Sequence, residues 1–382
     1  MAKGKTYGIG IMGAGNISSA YLRLAPLFKG LEVRGVADII PAAAKRRGEE
    51  FNVHAMTPDE MLKNSEIDVI VNLTVPATHY KVSMDAISAG KHSYSEKPFV
   101  LTLKEGKALK KAAESRGLVV GSAPDTFLGG AHQQVRSIID SKALGKITHG
   151  TTHVMSRGME HWHPNPDFFF QPGAGPILDI GPYYVTDLIQ LLGPVKRVTS
   201  FTNSARTHRV VTTPGSPMNG KKIKVGTPTT IHGILEFESG AIITIGASWD
   251  TYSHGHHNIE LYGTEGSVYV PDPNFFGGDI LISDQSGTKQ KVEPWDHPFG
   301  KANQGLDTPM PRANYRTAGL ADMIQALEKG RPARCGLDVA LHAVDVMTSL
   351  LKAGEAGKVV TLTTTCVRPA ALKPKDALAL LK

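Results

Sequence analysis

Apolar residues recur along this chain in two different rhythms. Up to residue 123, apolar runs of strand length alternate with stretches whose apolar positions fall on one helical face. Strands are predicted over Tyr7–Met12, Leu31–Ala37, Ile67–Leu73, His92–Ser95 and Leu118–Gly121. Helices are predicted between them, over Ser18–Phe28, Pro41–Phe51, Ala77–Gly90 and Leu103–Arg116. That alternation predicts a doubly wound parallel sheet. After Ala123 the rhythm changes. One further helix is predicted over Gly129–Ser141. Alternating runs follow over Thr148–Met155, Lys196–Asn203, Thr230–Phe237, Ala241–Trp249, Ile259–Tyr262 and Ser267–Val270. Strand succeeding strand with one buried face predicts an antiparallel sheet in a separate α+β domain. Two late helices, Thr317–Lys329 and Asp338–Ala356, are expected to pack where the domains meet. The predicted division is therefore a first domain over residues 1–123 and a second over 124–382.

Length supports two domains, since 382 residues exceed one ordinary domain. The net charge of +7 is scattered rather than massed, which argues against a nucleic-acid partner. No apolar run is long enough to span a bilayer, so no membrane partner is expected. Met-Ala-Lys-Gly-Lys leads straight into the first predicted strand, and no signal peptide is expected there. Two cysteines, Cys335 and Cys366, exclude a disulfide framework and fit a reducing cytoplasm.

The first predicted strand ends in Gly13-Ala14-Gly15-Asn16-Ile17-Ser18, the glycine pattern of a dinucleotide-binding turn. Gly13 allows a tight turn, and Gly15 removes the Cβ that would hold a pyrophosphate off the backbone. Ser18 keeps the helix close to the strand. A helix entered at Asn16 and Ile17 aims its unpaired N–H groups at phosphate. The second strand ends in Asp38, where a carboxylate accepts both ribose hydroxyls of NAD and repels the 2′-phosphate of NADP. NAD is favoured, with NADP the alternative; Lys45, Arg46 and Arg47 on the next helix read as solvated residues.

Ligands of such sheets lie beyond the carboxyl ends of the strands. Two predicted strand ends carry unusual residues: Thr74-Val75-Pro76-Ala77-Thr78-His79 and Glu96-Lys97-Pro98. Lys97 reads either as part of a surface turn or as an ammonium beside a nicotinamide, hydrogen-bonding a hydroxyl to be oxidised. Further on, Asp179, Gly181 and Tyr183 precede the apolar run Val185–Leu192. They read as a helix with Asp179 as N-cap, or as a carboxylate and a phenol on one side of a turn. His161-Trp162-His163 offers aromatic and polar groups suited to the faces and hydroxyls of a polyol. Neither His161/His163 nor His254/His256/His257 has a Cys or a carboxylate at a usual zinc spacing, so no metal is expected.

Taken in order, the glycine turn, Glu96-Lys97-Pro98 and Asp179-x-Gly181-x-Tyr183 resemble the glucose–fructose oxidoreductase/inositol dehydrogenase (Gfo/Idh/MocA) family. The resemblance covers residues 5–364 and includes Thr74, Pro76 and His79. It implies a Rossmann domain followed by an α+β domain with a large, mostly antiparallel sheet. It also implies an NAD(P)-dependent oxidoreductase moving hydride between nicotinamide and a carbinol or carbonyl carbon of a sugar or cyclitol. The cofactor-binding residues implied are Gly13, Gly15, Asn16, Ile17, Asp38, Thr74, Pro76, His79, Glu96 and Lys97. Lys97, Asp179 and Tyr183 are implied to be catalytic, and these three with Asp125, His161, Trp162 and His163 to bind substrate. Many members carry His where this chain has Tyr183, and Arg near Asp125-Thr126-Phe127. The family's exposed sheet faces often pair, which implies a homodimer or homotetramer. A nucleotide-bound sensor and an NAD-assisted glycosidase are the alternatives on the same fold.

Overall fold

The computed structural model describes residues 5–382, which divide into two compact units, each with its own large sheet. One unit comprises the residues up to Gly130 with 296–344 and 369–382; the other comprises 131–295 and 345–368.

The first unit is built on a six-stranded sheet. Its strands are β1 (Tyr7–Met12), β2 (Leu31–Ala37), β3 (Ala55–Met56), β4 (Val69–Asn72), β5 (His92–Ser95) and β6 (Val120–Ser122). They lie in the order β3-β2-β1-β4-β5-β6, and every pairing is parallel. The order reverses at β1, where the chain goes first to β2 and then to β4. That is the switch point at which such sheets take ligands. Helices α1 (Ser18–Leu24), α2 (Pro41–Phe51), α3 (Pro58–Lys63), α4 (His79–Ser88) and α5 (Leu103–Glu114) connect the strands. Thr57 with Glu60, and Thr102 with Glu105, form reciprocal caps that start α3 and α5. Buried Met12, Ala37, Met61, Ile67, Ile70 and Ala86 form one core cluster of this unit.

The second unit begins with α6 (Gly130–Asp140) and β7 (Ile147–Met155), followed by α7 (Pro176–Asp179) and α8 (Gly181–Leu192). Its remaining strands begin with β8 (Val195–Asn203), then the small ribbon β9 (His208–Val210) and β10 (Lys222–Lys224). Next come β11 (Thr230–Phe237), β12 (Ile242–Ser248), β13 (Ile259–Gly263), β14 (Ser267–Val270), β15 (Leu281–Ser283) and β16 (Lys289–Lys291). The nine-stranded sheet runs β16-β15-β14-β13-β7-β12-β11-β8-β17, with β17 at Val360–Thr361. All its pairings are antiparallel except β7 with β12. Ile231, Leu235, Ile243 and Ile245 are buried on one face, while Ile234, Ile242 and Phe201 on the other are exposed.

The division differs from the boundary expected after Ala123. Residues 296–344 and 369–382 return to the first unit, carrying α9 (Ala318–Lys329), the first part of α10 (Leu337–Ala356) and α11 (Pro374–Leu378). The amide of Ser122 donates to Cys335 O at 3.0 Å, and Val344 joins a core cluster with Ile87, Leu109 and Val120. Lys29 N donates to Leu380 O at 2.8 Å. These contacts join residues hundreds of positions apart, and no local periodicity encodes them.

Two fully buried side chains tie α6 to α8 within the second unit. His132 Nδ1 lies 2.9 Å from Asp187 Oδ2, and its Nε2 lies 2.8 Å from Phe275 O. Burial favours the neutral imidazole, but the Asp187 carboxylate and the Phe275 carbonyl outweigh it, and the pKa is raised above the ordinary value. A raised pKa adds stability that is full below about pH 6.5 and is lost as pH rises through the folded value. Thermal melts of the wild type should therefore fall from pH 6 toward pH 9. His132→Ala should remove that slope and cost about 3–5 kcal/mol, because it strands the Asp187 carboxylate. A variant that keeps the wild-type slope would contradict the charged pair.

Candidate active site

The glycine turn leaves β1 at the switch point. Gly13 has φ +107°, and a Cβ there would stand 2.6 Å from Leu73 C, so only glycine fits. Gly15 is the opposite case. It is exposed, and a Cβ would meet nothing within 4 Å, so the space above the turn is open to a ligand. Asn16 is exposed and Ile17 half-buried where α1 begins. Asp38 accepts from the Ala14 amide at 2.8 Å through Oδ2 and from the Ile40 amide at 2.9 Å through Oδ1. Each oxygen keeps a lone pair, so the carboxylate is fixed in place and still able to accept ribose hydroxyls. A dinucleotide fits this cradle: an open glycine, a helix N-terminus and an anchored carboxylate meet at one strand end.

Arg47 is not the solvated residue its sequence position suggests. Its side chain is only 12% exposed; Nε donates to Ser18 Oγ at 3.2 Å and Nη2 to Gly15 O at 3.3 Å. The guanidinium braces the turn from α2. Sequence gave no signal for this, because Lys45, Arg46 and Arg47 are adjacent and alike.

At the end of β4, Thr74 Oγ1 donates to Asn72 Oδ1 at 2.7 Å, and Pro76 starts a single 3₁₀ turn. His79, expected to touch the cofactor, is 1% exposed. Its Nδ1 lies 2.7 Å from Pro98 O and its Nε2 2.9 Å from Thr74 O, so it ties two strand ends together. Burial holds its pKa below the ordinary value despite those carbonyls. Glu96 likewise faces inward: Oε1 accepts from Tyr21 Oη at 3.0 Å and Oε2 from the Lys97 amide at 2.9 Å. Both carboxylate oxygens are spent on shaping the turn that presents Lys97, which is itself half-buried and precedes a cis peptide bond to Pro98.

Asp125, expected to bind substrate, is 2% exposed. Its Oδ2 accepts from the amides of Thr317 and Gly319, each at 3.0 Å, at the start of α9. Burial, opposed by those amides, pushes its pKa up to about 6. A carboxylate committed to a helix start is a structural element of the first unit.

In the second unit Asp179 does not cap the helix it precedes. It closes the short α7, Ile180 alone separates α7 from α8, and Tyr183 sits in the first turn of α8. Gly181 lets this corner approach Ile177, whose Cδ1 would be 3.0 Å from a Cβ. Asp179 is half-buried and Tyr183 is 8% exposed. Beside this corner, Ile180 and Tyr184 help line a cavity of about 350 Å³ within the unit. His161, Trp162, Trp249 and Asn258 line it too. Two indoles with neutral hydrogen-bonding groups suit a polyhydroxylated ring. His163 is absent from this lining. Its ring packs edge-on against Trp162, Phe168 and Phe169, and its Nδ1 accepts from the Asn165 amide at 3.1 Å.

Tyr184 was missed as a cavity residue because a helix places it about 100° from Tyr183. Its Oη accepts from Asn258 Nδ2 at 2.8 Å and donates to Asp272 Oδ1 at 3.2 Å. Burial raises the pKa of both Tyr184 and Asp272. Among the described residues, no group of three His, Cys, Asp or Glu side chains is placed to hold a metal ion.

Two sequence profiles match the chain. One, described as the oxidoreductase family NAD-binding Rossmann fold, matches residues 7–123; the other, described as the GFO/IDH/MocA C-terminal domain, matches 132–269. An uncharacterized oxidoreductase of Schizosaccharomyces pombe is 30% identical over 169 residues, 43% of this chain and 44% of that one. The chain thus aligns with less than half the length of that relative. Levoglucosan dehydrogenase of Pseudarthrobacter phenanthrenivorans is 25% identical over 329 residues, 77% of this chain and 82% of that protein. The solved structure of levoglucosan dehydrogenase with NADH has the same fold, with a TM-score of 0.77 at 20% identity, covering 94% of this chain and 100% of that one. The chain belongs to the Gfo/Idh/MocA family of oxidoreductases, with the family's NAD-binding Rossmann domain followed by its C-terminal domain.

Proposed function

We propose that this protein moves hydride between the nicotinamide of NAD and a carbinol or carbonyl carbon of a sugar, sugar derivative or cyclitol. The observation that carries the reading is the anchored Asp38 carboxylate beside the open Gly15, a cradle with no packing purpose of its own. The cavity beside Asp179 and Tyr183 supports the substrate class. NAD, when bound, supplies the two-electron acceptor. Lys97 Nζ donates a hydrogen bond to the substrate oxygen and stabilises negative charge developing there. Asp179 accepts from a substrate hydroxyl and orients the ring. As the C–H bond breaks, the O–H proton passes to Tyr183 in its phenolate form. A phenol, with a pKa of about 10 in water, is almost fully protonated near neutrality and so a poor proton acceptor. In the reducing direction it already carries the proton to be given, and we assign that direction, or a reversible reaction.

We also assign a homodimer or homotetramer, formed where Phe201, Ile234 and Ile242 stand exposed on the uncovered sheet face. A monomer mass by light scattering at micromolar concentration would remove that assignment. Two buried cysteines, neither of them in a disulfide, support a cytoplasmic location, and no helix among the described residues is long and apolar enough to cross a membrane. Release of the purified protein with periplasm or medium on cell fractionation would overturn that location.

Turnover is tested at 340 nm with levoglucosan, other sugars, inositols, sugar acids and their keto forms, each with both cofactors. Substrate-dependent change in NADH is expected. Tight NADH binding with no turnover anywhere in the panel would point to a sensor, and released sugar without net NADH to a glycosidase.

Two sets of variants follow. Asp38→Ala should weaken NADH by about 1.5–3 kcal/mol, the worth of a hydrogen bond to a charged group, and narrow the preference over NADPH. Unchanged preference by fluorescence titration would remove Asp38 from cofactor choice. Lys97→Met should keep NADH affinity while turnover falls by about 10²-fold or more. Tyr183→Phe should lower kcat and kcat/KM together. Tyr184→Phe should instead lower Tm, since it leaves the buried Asp272 without its phenol donor. If Lys97→Met and Tyr183→Phe both turn over like the wild type, the proton is handled elsewhere.

A further inference from the structure

A row of histidines crosses the uncovered face of the nine-stranded sheet beside the cavity. His153 on β7 pairs with Gly246 on β12, which pairs in turn with His232 on β11. Both rings lean over the glycine: a Cβ on Gly246 would stand 2.9 Å from His153 Cδ2 and 3.0 Å from His232 Cε1. His256 stacks on His153 with ring centroids 3.8 Å apart and planes 15° from parallel. His254 lies beyond it, 5.9 Å from His256. The ring of His153 is thus fixed on three sides, by His256, by His232 and by the sheet beneath.

Such fixing has a consequence for hydrogen bonding. His153 is 7% exposed, its Nδ1 is buried without any hydrogen-bond partner, and the residue forms part of the cavity wall. Buried polar atoms are nearly always satisfied, and an orphan beside an open cavity is explained by a ligand atom that completes it. His161 repeats the pattern on the same cavity, with its own Nδ1 buried and unpartnered. Two residues of the cavity wall thus each carry a buried imidazole nitrogen with no hydrogen-bond partner in the protein.

We propose that His153 is a specificity-determining residue of this cavity, its Nδ1 accepting a hydrogen bond from a hydroxyl of the bound sugar or cyclitol. The proposal rests on the sugar-oxidoreductase reading given above. Only a neutral imidazole offers a lone pair, and the surroundings hold the ring neutral. Burial, then His256, His232 and His254, pull its pKa down to about 4, against a smaller upward pull from Glu260 on β13. The other titratable and charged residues that line the same cavity are Arg157, His161, Tyr184, His254 and Asp272. The stack is therefore a device that keeps the acceptor available through the neutral and mildly acid range.

The test reads KM and kcat separately for the panel member that the wild type turns over best. Wild-type KM should stay flat from pH 8 to pH 5. His153→Ala should raise KM about tenfold at pH 7.5 with kcat within about twofold, the loss of one acceptor from bound substrate. His153→Gln offers an amide oxygen that does not titrate, so it should restore KM to within about threefold and keep it flat to low pH. His256→Ala should relieve both burial and repulsion, letting the pKa of His153 climb toward about 6.5, so that KM begins to rise below pH 6. Wild-type KM in His153→Ala would overturn the proposal alone, as would kcat, KM and Tm collapsing together in both His153 variants. A pH-independent KM in His256→Ala would overturn it as well. No turnover by the wild type across the whole panel would instead overturn the sugar-oxidoreductase reading, and the proposal with it.

Discussion

The close approach of β1 to β4 at Gly13 is the constraint on which the first unit depends. No side chain fits there: Leu73 C and O would both lie 2.6 Å from a Cβ, and Thr74 N 2.9 Å. The Gly13 amide donates to Ala37 O at 2.8 Å, and the Ala14 amide donates to Asp38 at 2.8 Å. The end of β1 is thereby locked between its two neighbours, and the chain must turn outward at Gly15. Everything that makes the unit a nucleotide cradle follows from that lock. It fixes where α1 begins, where the Asp38 carboxylate stands and where the space above the turn opens. Arg47 closes the arrangement from beneath by bonding Ser18 Oγ and Gly15 O.

Much of this was legible in the sequence because the signals are local. β2, α2 and β5 run between the residues that periodicity assigned to them, and β11 and β14 do so in the second unit. Strands of these lengths with turn residues at both ends leave little choice of boundary. The short β3 and α3 escaped because two and six residues are too few to show a period, although Thr57 and Glu60 form a capping box that could have marked α3. The return of residues 296–344 to the first unit escaped for a different reason. It rests on contacts between residues far apart in the chain, such as Cys335 O with Ser122, Asp125 with Thr317 and Val344 in the core beside Ile87 and Leu109, that no local pattern anticipates.

The candidate site divides in the same way. Glycines and a strand-end carboxylate are recognisable because the backbone conformation demands them. Polar residues at strand ends are ambiguous, since a turn and a ligand both attract them. His79, Glu96 and Asp125 read with Lys97 as ligand contacts, yet His79 and Glu96 spend their polar atoms on main-chain or buried partners, and Asp125 gives Oδ2 to two amides at the start of α9. They hold Lys97 and the late helix in place. His153 and Tyr184 carried the opposite ambiguity. One sits in an alternating strand and the other in an apolar helix, so both read as packing, and only the cavity they share sets them apart. Side chains that shape a site and side chains that touch its ligand are drawn from the same residue types, and burial together with partner geometry separates them.

The cradle at the end of β1 is the feature from which the nucleotide site follows. Titration calorimetry of the wild-type protein with NADH and with NADPH is the most direct test. One NADH site per chain, bound more tightly than NADPH, is the predicted result. Heat from neither nucleotide would contradict the cradle and everything built on it, and a clear preference for NADPH would contradict the role given to Asp38.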